Sequence, residues 1–306
     1  MDLFPRTAEL LSNCQIGLGL ESRTGLPGFM PIKTSPLPIV KLSATGNDFL
    51  LVDLLDAQSA RHWKAFAKKS RAHWAKTWCD RHEGLGADGL VWIEKDKNVD
   101  FKWDFFNSDG SAAEMCGNAA RAVSLYASLR LKKKKLKFQS RIGVVEATVA
   151  SEKRIEIALP PIAEGHWNQV LRWKGSDLNY DFVRAGVPHA VVRVPNLDDR
   201  AGLRDFALEI KRQPSFLKDG TNVTFVRMTA KDRVESLTFE RGVEDFTLSC
   251  GTGAVASAHS VLRGEEDQPV QVRVPGGTLS VVWKKGRPFL SGPARIVAEM
   301  HLSSSR

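Results

Sequence analysis

Two short motifs of this 306-residue chain each place a cysteine directly before a glycine and a small polar residue. They read Cys116-Gly117-Asn118 and Cys250-Gly251-Thr252. Each motif runs into an alanine-rich stretch that is apolar on nearly every face, which is typical of a buried helix rather than of an amphipathic surface helix. The sequence therefore predicts two cysteines at similar depth, each at the N-terminus of a buried helix, in two related halves.

The predicted position of the two cysteines suggests a chemistry. A helix N-terminus presents unpaired N–H groups and about half a positive charge, so it binds carboxylates and lowers the pKa of a neighbouring thiol. Two such ends facing each other would hold one carboxylate, with one sulfur on either side of the adjoining carbon. One thiolate would remove a proton from Cα and the opposite thiol would return one to the other face, inverting the centre. Such a pair is one thiol and one thiolate, and it titrates as a unit.

The alternative for each cysteine taken alone is a packing role, since free cysteine is among the most buried residue types. The matched pair weakens that alternative. The chain's four cysteines are Cys14, Cys79, Cys116 and Cys250. They show no Cys-x-x-Cys and no metal-ligand spacing, so we expect no metal site and a reducing, cytoplasmic compartment rather than a disulfide framework.

The composition, with 42% hydrophobic and 26% charged residues, is ordinary for a globular protein of one large or two average domains. No apolar run is long enough to predict a membrane span. The net charge of +9 is concentrated in one basic run. Its members are Arg130, Lys132, Lys133, Lys134, Lys135, Lys137 and Arg141. A solvated helix end, where cations suit the dipole, is favoured over a nucleic-acid patch, because no nucleic-acid-binding motif accompanies the run.

The chain order predicts short strands and a few helices. Residues 1–36 are expected to form an extension outside the fold, with one helical turn near Glu9–Leu11, unless the natural start is Met30. They show no signal-peptide pattern. Strands are predicted at 39–42, 49–53, 90–94, 101–106, 136–140, 143–150, 154–159, 181–185, 190–194, 222–229, 233–240, 270–274, 278–283, 289–291 and 294–301. Helices are predicted at 61–79 and 197–212, besides the two that follow the cysteines.

This pattern predicts an α+β fold in which curled sheets wrap one buried helix per half. Leu159-Pro160-Pro161 marks the expected boundary. We expect an N-terminal domain at 37–160 and a C-terminal domain at 161–294. The last strand is expected to pair back with the first half, so that residues 295–306 complete the N-terminal domain.

Eight motifs in a fixed order span about residues 39–300. They are Thr45-Gly46-Asn47-Asp48-Phe49, Gly84-Leu85-Gly86-Ala87-Asp88-Gly89, Asn107-Ser108-Asp109-Gly110-Ser111 through Cys116-Gly117-Asn118, Pro188-His189-Ala190, Gly220-Thr221-Asn222-Val223, Glu240-Arg241-Gly242, Cys250-Gly251-Thr252-Gly253 and Pro275-Gly276-Gly277. Together they resemble the diaminopimelate epimerases, cofactor-independent two-cysteine isomerases of bacterial lysine and peptidoglycan precursor synthesis. The resemblance implies two pseudo-symmetric domains with the cleft between them, typically a homodimer, and no cofactor.

The resemblance also implies roles for individual residues. Cys116 and Cys250 match the two acid–base groups. Positions that hold the reacting carboxylate are matched by Gly117, Asn118, Gly251 and Thr252. Positions that bind substrate, mostly its distal end, are matched by Asn47, Asn107, Asn222, Glu240 and Arg241. Positions that tune the cysteines are matched by His189 and Glu240. Diaminopimelate carries an ammonium and a carboxylate at both ends, so Arg241 could pair a carboxylate bidentately and Glu240 could receive an ammonium.

The sequence departs from the family pattern in four places, which leaves open the possibility that this chain is a relative acting on another amino acid. Val187 stands where the family usually has asparagine. The stretch Asn118-Ala119-Ala120-Arg121 has alanine where glycine is usual, and Ser43-Ala44-Thr45 replaces the common His-Gly-Leu. One extra residue separates Glu240 from Cys250.

Three hypotheses follow. The first is epimerisation of LL- to meso-diaminopimelate, favoured by Arg241 with Asn107 and Asn222 in the distal pocket. The second is a racemase of histidine or another basic amino acid on the same scaffold. The third is a catalytically silent binding protein that uses the basic run, in which case the cysteines are dispensable and binding weakens steeply with salt.

Overall fold

The structure is a computed structural model that describes residues 34–64, 66–173, 175–263 and 268–303. The helical turn expected near Glu9–Leu11 and the alternative start at Met30 lie outside these residues. The first strand begins at Thr34 rather than at residue 39.

Short strands dominate the described part of the chain. They are β1 (Thr34–Ala44), β2 (Asn47–Leu54), β3 (Gly89–Glu94), β4 (Phe101–Asn107), β5 (Lys135–Ser140), β6 (Gly143–Ser151), β7 (Arg154–Ala158), β8 (Glu164–Trp173), β9 (Ser176–Ala185), β10 (Val187–Arg193), β11 (Asn222–Ala230), β12 (Arg233–Glu240), β13 (Asp245–Phe246), β14 (Val270–Val274), β15 (Gly277–Lys284), β16 (Arg287–Gly292) and β17 (Arg295–Ser303). The helices are α1 (Ala57–Trp63), α2 (Arg71–Cys79), α3 (Gly117–Leu131), α4 (Arg200–Lys211) and α5 (Gly251–Leu262), with a 3-10 turn at Pro214–Phe216.

The strands form one continuous sheet whose two halves repeat the same order. The first half runs β17-β1-β2-β3-β4-β5-β6-β7. The second runs β8-β9-β10-β11-β12-β14-β15-β16, with β13 beside β12. Parallel pairs fall at corresponding places, β2–β3 and β4–β5 in one half and β10–β11 and β12–β14 in the other. The expected pseudo-symmetry is thus confirmed at the level of strand order.

Two antiparallel strand pairs connect the two halves of the sheet and the two ends of the described chain. Antiparallel pairing of β7 with β16 links the halves, and β17 pairs with β1, so the C-terminal strand completes the first half as expected. Because the sheet is continuous across β7 and β16, the domain boundary at residue 160 stays a prediction.

Each half of the sheet curls around one helix. Helix α3 contacts β1, β2, β5, β6, β7 and β17, whereas α5 contacts β9, β10, β11, β12, β14 and β15. Both helices are buried along most of their length, and their alanines let strands approach on several sides. The α+β class and the two buried helices predicted from the cysteine motifs are confirmed.

The single helix predicted at 61–79 is wrong, because the segment holds parts of two helices. The Asp56 carboxylate caps α1 by accepting from the backbone of Gln58, whereas Ser70, in extended conformation, caps α2 by accepting from His73 N at 3.1 Å. A residue with non-helical backbone angles that accepts such a bond starts a new helix. The aromatic residues that suggested one helix pack together across the break, with the Trp63 and Phe66 rings stacked at 5.9 Å.

Two strands escaped prediction, the two-residue β13 and the longer β8. Strand β8 lies at an open edge of the sheet, and among its described side chains Leu171 is the one that is buried. A strand with so little buried surface carries no alternating pattern. Helix α4 begins at Arg200, later than predicted, because Asp199 accepts from Gly202 N and caps it.

Two tight turns, one from each half, press against each other beside α3. Thr45 and Gly46 join β1 to β2 with φ values of 47° and 91°, as a two-residue hairpin turn requires. Against them lies Gly276, which precedes β15. A Cβ on Gly276 would stand 1.9 Å from the Thr45 carbonyl oxygen and 3.0 Å from that of Leu248. The contact therefore exists only because residue 276 has no side chain.

We predict that Gly276→Ala lowers the free energy of unfolding by about 2–3 kcal/mol, because two backbone segments must separate to admit one methyl group. Urea denaturation of the full chain measures this. The matched control is Gly165→Ala in β8, where an added Cβ would meet its nearest neighbour, the imidazole of His259, at an ordinary 3.4 Å. Equal stability of the two variants would contradict the close contact.

Candidate active site

The two cysteines cap the two central helices. Both residues have extended backbone angles, and each sulfur accepts from the N–H three residues ahead: Cys116 Sγ lies 3.5 Å from Ala119 N, and Cys250 Sγ lies 3.4 Å from Gly253 N. The predicted placement of both cysteines at helix N-termini is confirmed. Each sulfur thus lies within the positive field of its own helix.

The two helix N-termini meet at a pair of glycines. A Cβ on Gly251 would lie 3.4 Å from the Cα of Gly117, and a Cβ on Gly117 would lie 3.7 Å from the Cα of Gly251. Either added carbon would also approach Leu290 within about 3.2 Å. Glycine at both positions lets the helices begin in contact, which brings their first-turn N–H groups to one place.

A buried polar cluster ties the first helix to the residue before the second cysteine. Asn118 Nδ2 donates to the Ser249 carbonyl oxygen at 3.0 Å and to Asn47 Oδ1 at 2.6 Å. Its Oδ1 accepts from Arg121 at 2.7 Å. Thr45 Oγ1 accepts from the same guanidinium at 2.7 Å and lies 3.0 Å from Ser249 Oγ. The structure thus unites Asn47 and Asn118 with three residues that the sequence reasoning missed.

The other cysteine lies at the end of a second chain of polar groups. Cys250 Sγ is 3.4 Å from Thr252 Oγ1, which is 3.0 Å from His189 Nε2. His189 Nδ1 is 2.9 Å from Thr224 Oγ1, and Asn222 Nδ2 is 3.3 Å from Nε2. The structure therefore brings together three predicted residues: Thr252 on α5, His189 on β10 and Asn222 on β11.

The network fixes the tautomer of His189. Asn222 Oδ1 accepts from the backbone N–H of Arg241 at 2.9 Å, so the amide must turn its NH₂ toward the imidazole. Nε2 then accepts and Nδ1 carries the proton, which it donates to Thr224. Burial, and secondarily the charge of Arg241, lowers the pKa of His189 to about 3, so the ring is neutral.

Burial dominates the titration of the cysteines as well. It raises the pKa of Cys116, and it raises that of Cys250 further with the help of the Glu240 charge, while the helix N–H groups oppose both shifts. The depressed thiol pKa expected from the helix N-termini alone is thus wrong in its net direction, because desolvation outweighs the dipole. Burial also raises the pKa of Glu240, whose Oε1 accepts from Thr247 at 2.5 Å.

Three predicted substrate residues lie nearer to solvent. Asn107 and Arg241 are exposed at the ends of β4 and β12, and Asn47 is half-buried. The Arg241 guanidinium bonds the Asp219 carbonyl oxygen, and Asn107 Nδ2 donates to Ser111 Oγ at 3.0 Å. Among the described contacts Asn107 joins neither polar cluster. Asp88, another residue the sequence reasoning missed, accepts from Asn47 Nδ2 at 2.9 Å.

The missed residues carried weak signals in the sequence. Ser249 directly precedes Cys250, and Arg121 is the lone charge within the first six residues of a helix otherwise read as apolar.

No group of three His, Cys, Asp or Glu in the described residues could hold a metal ion. No helix in the same part of the chain is long and apolar enough to cross a membrane.

Part of the basic run is paired with acidic neighbours. Lys133 lies 2.6 Å from Asp100, and Arg141 lies 2.8 Å from Asp104. These ion pairs favour the interpretation of the run as a solvated helix end over a nucleic-acid surface.

The two-fold repeated sheet and the paired, cysteine-capped helices define a protein of the epimerase and racemase class of isomerases. The sequence model of the family "Diaminopimelate epimerase" matches residues 39–159 and 182–297. This chain belongs to the diaminopimelate epimerase family.

Relatives support this assignment, and a solved structure shares the fold. The diaminopimelate epimerase of Aquifex aeolicus is 36% identical over 275 residues, covering 86% of this chain and 96% of the relative. That of Chlorobaculum tepidum is 36% identical over 265 residues, covering 84% and 97%. The crystal structure of a hydroxyproline epimerase from Agrobacterium vitis superposes with a TM-score of 0.63 over 88% of this chain and 93% of that one. At 13% identity this last likeness shows the shared fold alone.

We predict that the His189 imidazole stays neutral, with its proton on Nδ1, from pH 5 to pH 8. The reason is its burial against two threonine hydroxyls and an amide, with no carboxylate among its described partners. Nitrogen-15 NMR of histidine-labelled protein measures this, with His189→Gln used to assign the signal. A titration midpoint above pH 5 would contradict the assigned network.

Proposed function

We propose that this chain interconverts LL- and meso-diaminopimelate by proton transfer at Cα between Cys116 and Cys250, without pyridoxal phosphate. The observation that carries the proposal is the contact of two cysteine-capped helix N-termini at Gly117 and Gly251. Membership of the family supplies the substrate.

In the proposed reaction the helix N-termini bind the α-carboxylate. The N–H groups of the first turn have no acceptor within their helix, so those of Gly117, Asn118, Gly251 and Thr252 can receive its oxygens. Charge moves from Cα onto the carboxylate as the proton leaves. Donors already fixed by the fold stabilise that charge without reorganising.

The protons move between carbon and sulfur. One thiolate takes the proton from Cα, and the opposite thiol gives its own proton to the other face, so the pair ends with thiol and thiolate exchanged. The raised thiol pKa values suit this step, since a more basic thiolate is a better match for a weakly acidic C–H. Glu240 would disfavour a second negative charge, and neutral His189 would orient the Thr252 hydroxyl at Cys250.

The distal end of the substrate is proposed to lie toward the exposed residues. Arg241 can pair the second carboxylate, and Asn107, Asn47 and Asn222 can bind the remaining polar groups. Of these distal groups Arg241 and Asn107 are exposed, Asn47 is half-buried and Asn222 is buried, so they run from solvent inward, which suits a substrate that enters with its reacting end first.

A second candidate is racemisation of histidine, or of another basic amino acid. The observation in its favour is Val187, which replaces the asparagine usual in the family. Val187 begins β10 at the position that Asn47 occupies at the start of β2, so one half of the site has lost a polar side chain.

Three further proposals rest on the family resemblance, on the cysteine pattern and on the sequence Leu159-Pro160-Pro161, in that order. We propose that the chain acts as a homodimer, that it works in the cytoplasm, and that its two domains divide near residue 160.

The first functional prediction concerns solvent deuterium at Cα of LL-diaminopimelate under reducing conditions, read by NMR. The unmodified chain is expected to incorporate deuterium and invert the centre. Cys116→Ser and Cys250→Ser should each lower inversion at least about 100-fold, because a serine hydroxyl is too weakly acidic to replace either thiol.

The control is Cys79→Ser, which alters a buried cysteine on α2 whose pKa burial raises to about 12. It should retain activity. If folded, reduced protein exchanges no deuterium on diaminopimelate, histidine, lysine or arginine, the enzyme proposal fails. If deuterium is exchanged on a basic amino acid but not on diaminopimelate, the racemase proposal is supported instead.

The second functional prediction is that Arg241→Gln raises the KM for diaminopimelate about tenfold with a smaller change in kcat, since one exposed charged hydrogen bond to the distal carboxylate is lost. Steady-state kinetics measure this. Arg233→Gln, at the opposite end of the same strand, is the matched control. An unchanged KM would remove Arg241 from substrate binding.

A further inference from the structure

One buried charge remains outside the mechanism just described. Arg121 lies on α3, five residues after Cys116, and is fully shielded from solvent. Its Nη1 donates to the Gly117 carbonyl oxygen at 3.3 Å, and its Nη2 donates to Thr45 Oγ1 and to Asn118 Oδ1, both at 2.7 Å. Nε is buried and has no hydrogen-bond partner within the described part of the chain.

The guanidinium lacks a counter-ion. Among the residues that the structure describes, no carboxylate forms an ion pair with it, and the negative group that acts on it is Cys116. A buried cation without a partner is costly, so a compensating negative charge is expected nearby. Gly117, Asn118 and Thr45 accept hydrogen bonds from the fully buried guanidinium, so Arg121 acts through its charge and through these neighbours rather than by touching a ligand.

The second half has no equivalent charge. Counting five residues after Cys250, as Arg121 follows Cys116, leads to Val255, a core residue of α5. The fold is repeated, yet within the described residues the buried cation five positions after Cys116 has no counterpart five positions after Cys250.

Hydrogen bonding at the other sulfur points in the same direction. With its proton on Nδ1, His189 can only accept at Nε2, where the Asn222 amide at 3.3 Å and the Thr252 hydroxyl at the shorter 3.0 Å share one lone pair, so the Thr252 hydroxyl donates its single hydrogen there. Thr252 Oγ1 can then only accept from Cys250, which requires a protonated thiol. Cys116 has no such demand, since its described partner, Ala119 N–H, is a donor.

We propose that Arg121 is a positioning residue that makes the cysteine pair unequal: its buried charge holds the thiolate on Cys116, while the Thr252–His189 chain holds the proton on Cys250. In the substrate-free protein Cys116 is therefore the base and Cys250 the acid. The names base and acid rest on the proposed two-thiol function, whereas the order of ionisation does not.

The charged and titratable groups described near the pair fit this order. Glu240 disfavours a thiolate on either sulfur and is the leading charge that acts on Cys250, whereas Arg121 favours a thiolate on Cys116. His189 is neutral, and Asp88 acts on Glu240 rather than on a sulfur.

The test is pulsed alkylation with iodoacetamide from pH 6 to pH 10.5, with the modification of each cysteine followed by peptide mass spectrometry. The midpoint of each pH profile is independent of how fast a site is reached. In the unmodified chain Cys116 should ionise at least about one pH unit below Cys250, with buried Cys79 as an unreactive internal reference. Arg121→Met should raise the Cys116 midpoint by about one unit and move Cys250 less, and Arg121→Lys should restore it in part.

Arg287→Met is the matched control. Arg287 is a half-buried arginine at the far end of β16 that bonds the Leu159 carbonyl oxygen, and its loss should move neither midpoint. A Cys250 midpoint at or below that of Cys116 in the unmodified chain overturns the proposal, whether or not any variant folds. So does a folded Arg121→Met with an unmoved Cys116 midpoint, which would leave Arg121 a merely structural residue. Because alkylation needs no turnover, failure of the diaminopimelate assay leaves this result readable.

Discussion

Two helices that start in contact at Gly117 and Gly251 impose the constraint on which the rest of the structure depends. Helix ends carry unpaired N–H groups, so two of them side by side must be given acceptors or left facing a ligand. Each half of the sheet curls around its helix to bring those ends inward, and the β1–β2 turn inserts beside them. Gly276 is needed for the same reason as the paired glycines, because a side chain there would push that turn away.

The repeated architecture places equivalent side chains around the centre, but the residues themselves differ. Asn118 bridges to the second half through Ser249, whereas its counterpart Thr252 turns to His189 within its own half. The position in the second half that corresponds to Arg121 is occupied by Val255. A two-sided reaction on one carbon needs two similar sulfurs but unequal protonation. In the reaction proposed above, a symmetric scaffold with asymmetric neighbours would supply both, since the backbone sets where the sulfurs lie and the side chains would set which one is charged.

The sequence allowed most strand positions, the buried helices and the cysteine pair to be predicted, because each depends on local composition or on motif resemblance. The break before Ser70 was missed because the aromatic spacing reflects a cluster formed across two helices rather than one helical face. Strand β8 was missed because an edge strand with little buried surface needs no hydrophobic alternation. The polar cluster around Asn118 could not be predicted, since its members come from three distant segments that only the curled sheet brings together.

Burial divides the site into two physical regimes. Around the sulfurs, neutral hydrogen-bonding groups and helix ends act in a dry setting, where each dipole has a large effect and an extra charge such as Glu240 shifts both thiols. At Arg241 and Asn107 solvent weakens electrostatic effects, so charges there can select a substrate without disturbing the titration of the cysteines. Val187 lies between these regimes, on the strand that carries His189. A change of polarity at that position can therefore alter which distal group is accepted while the sulfur chemistry is preserved, which is how one scaffold can accommodate several amino acids.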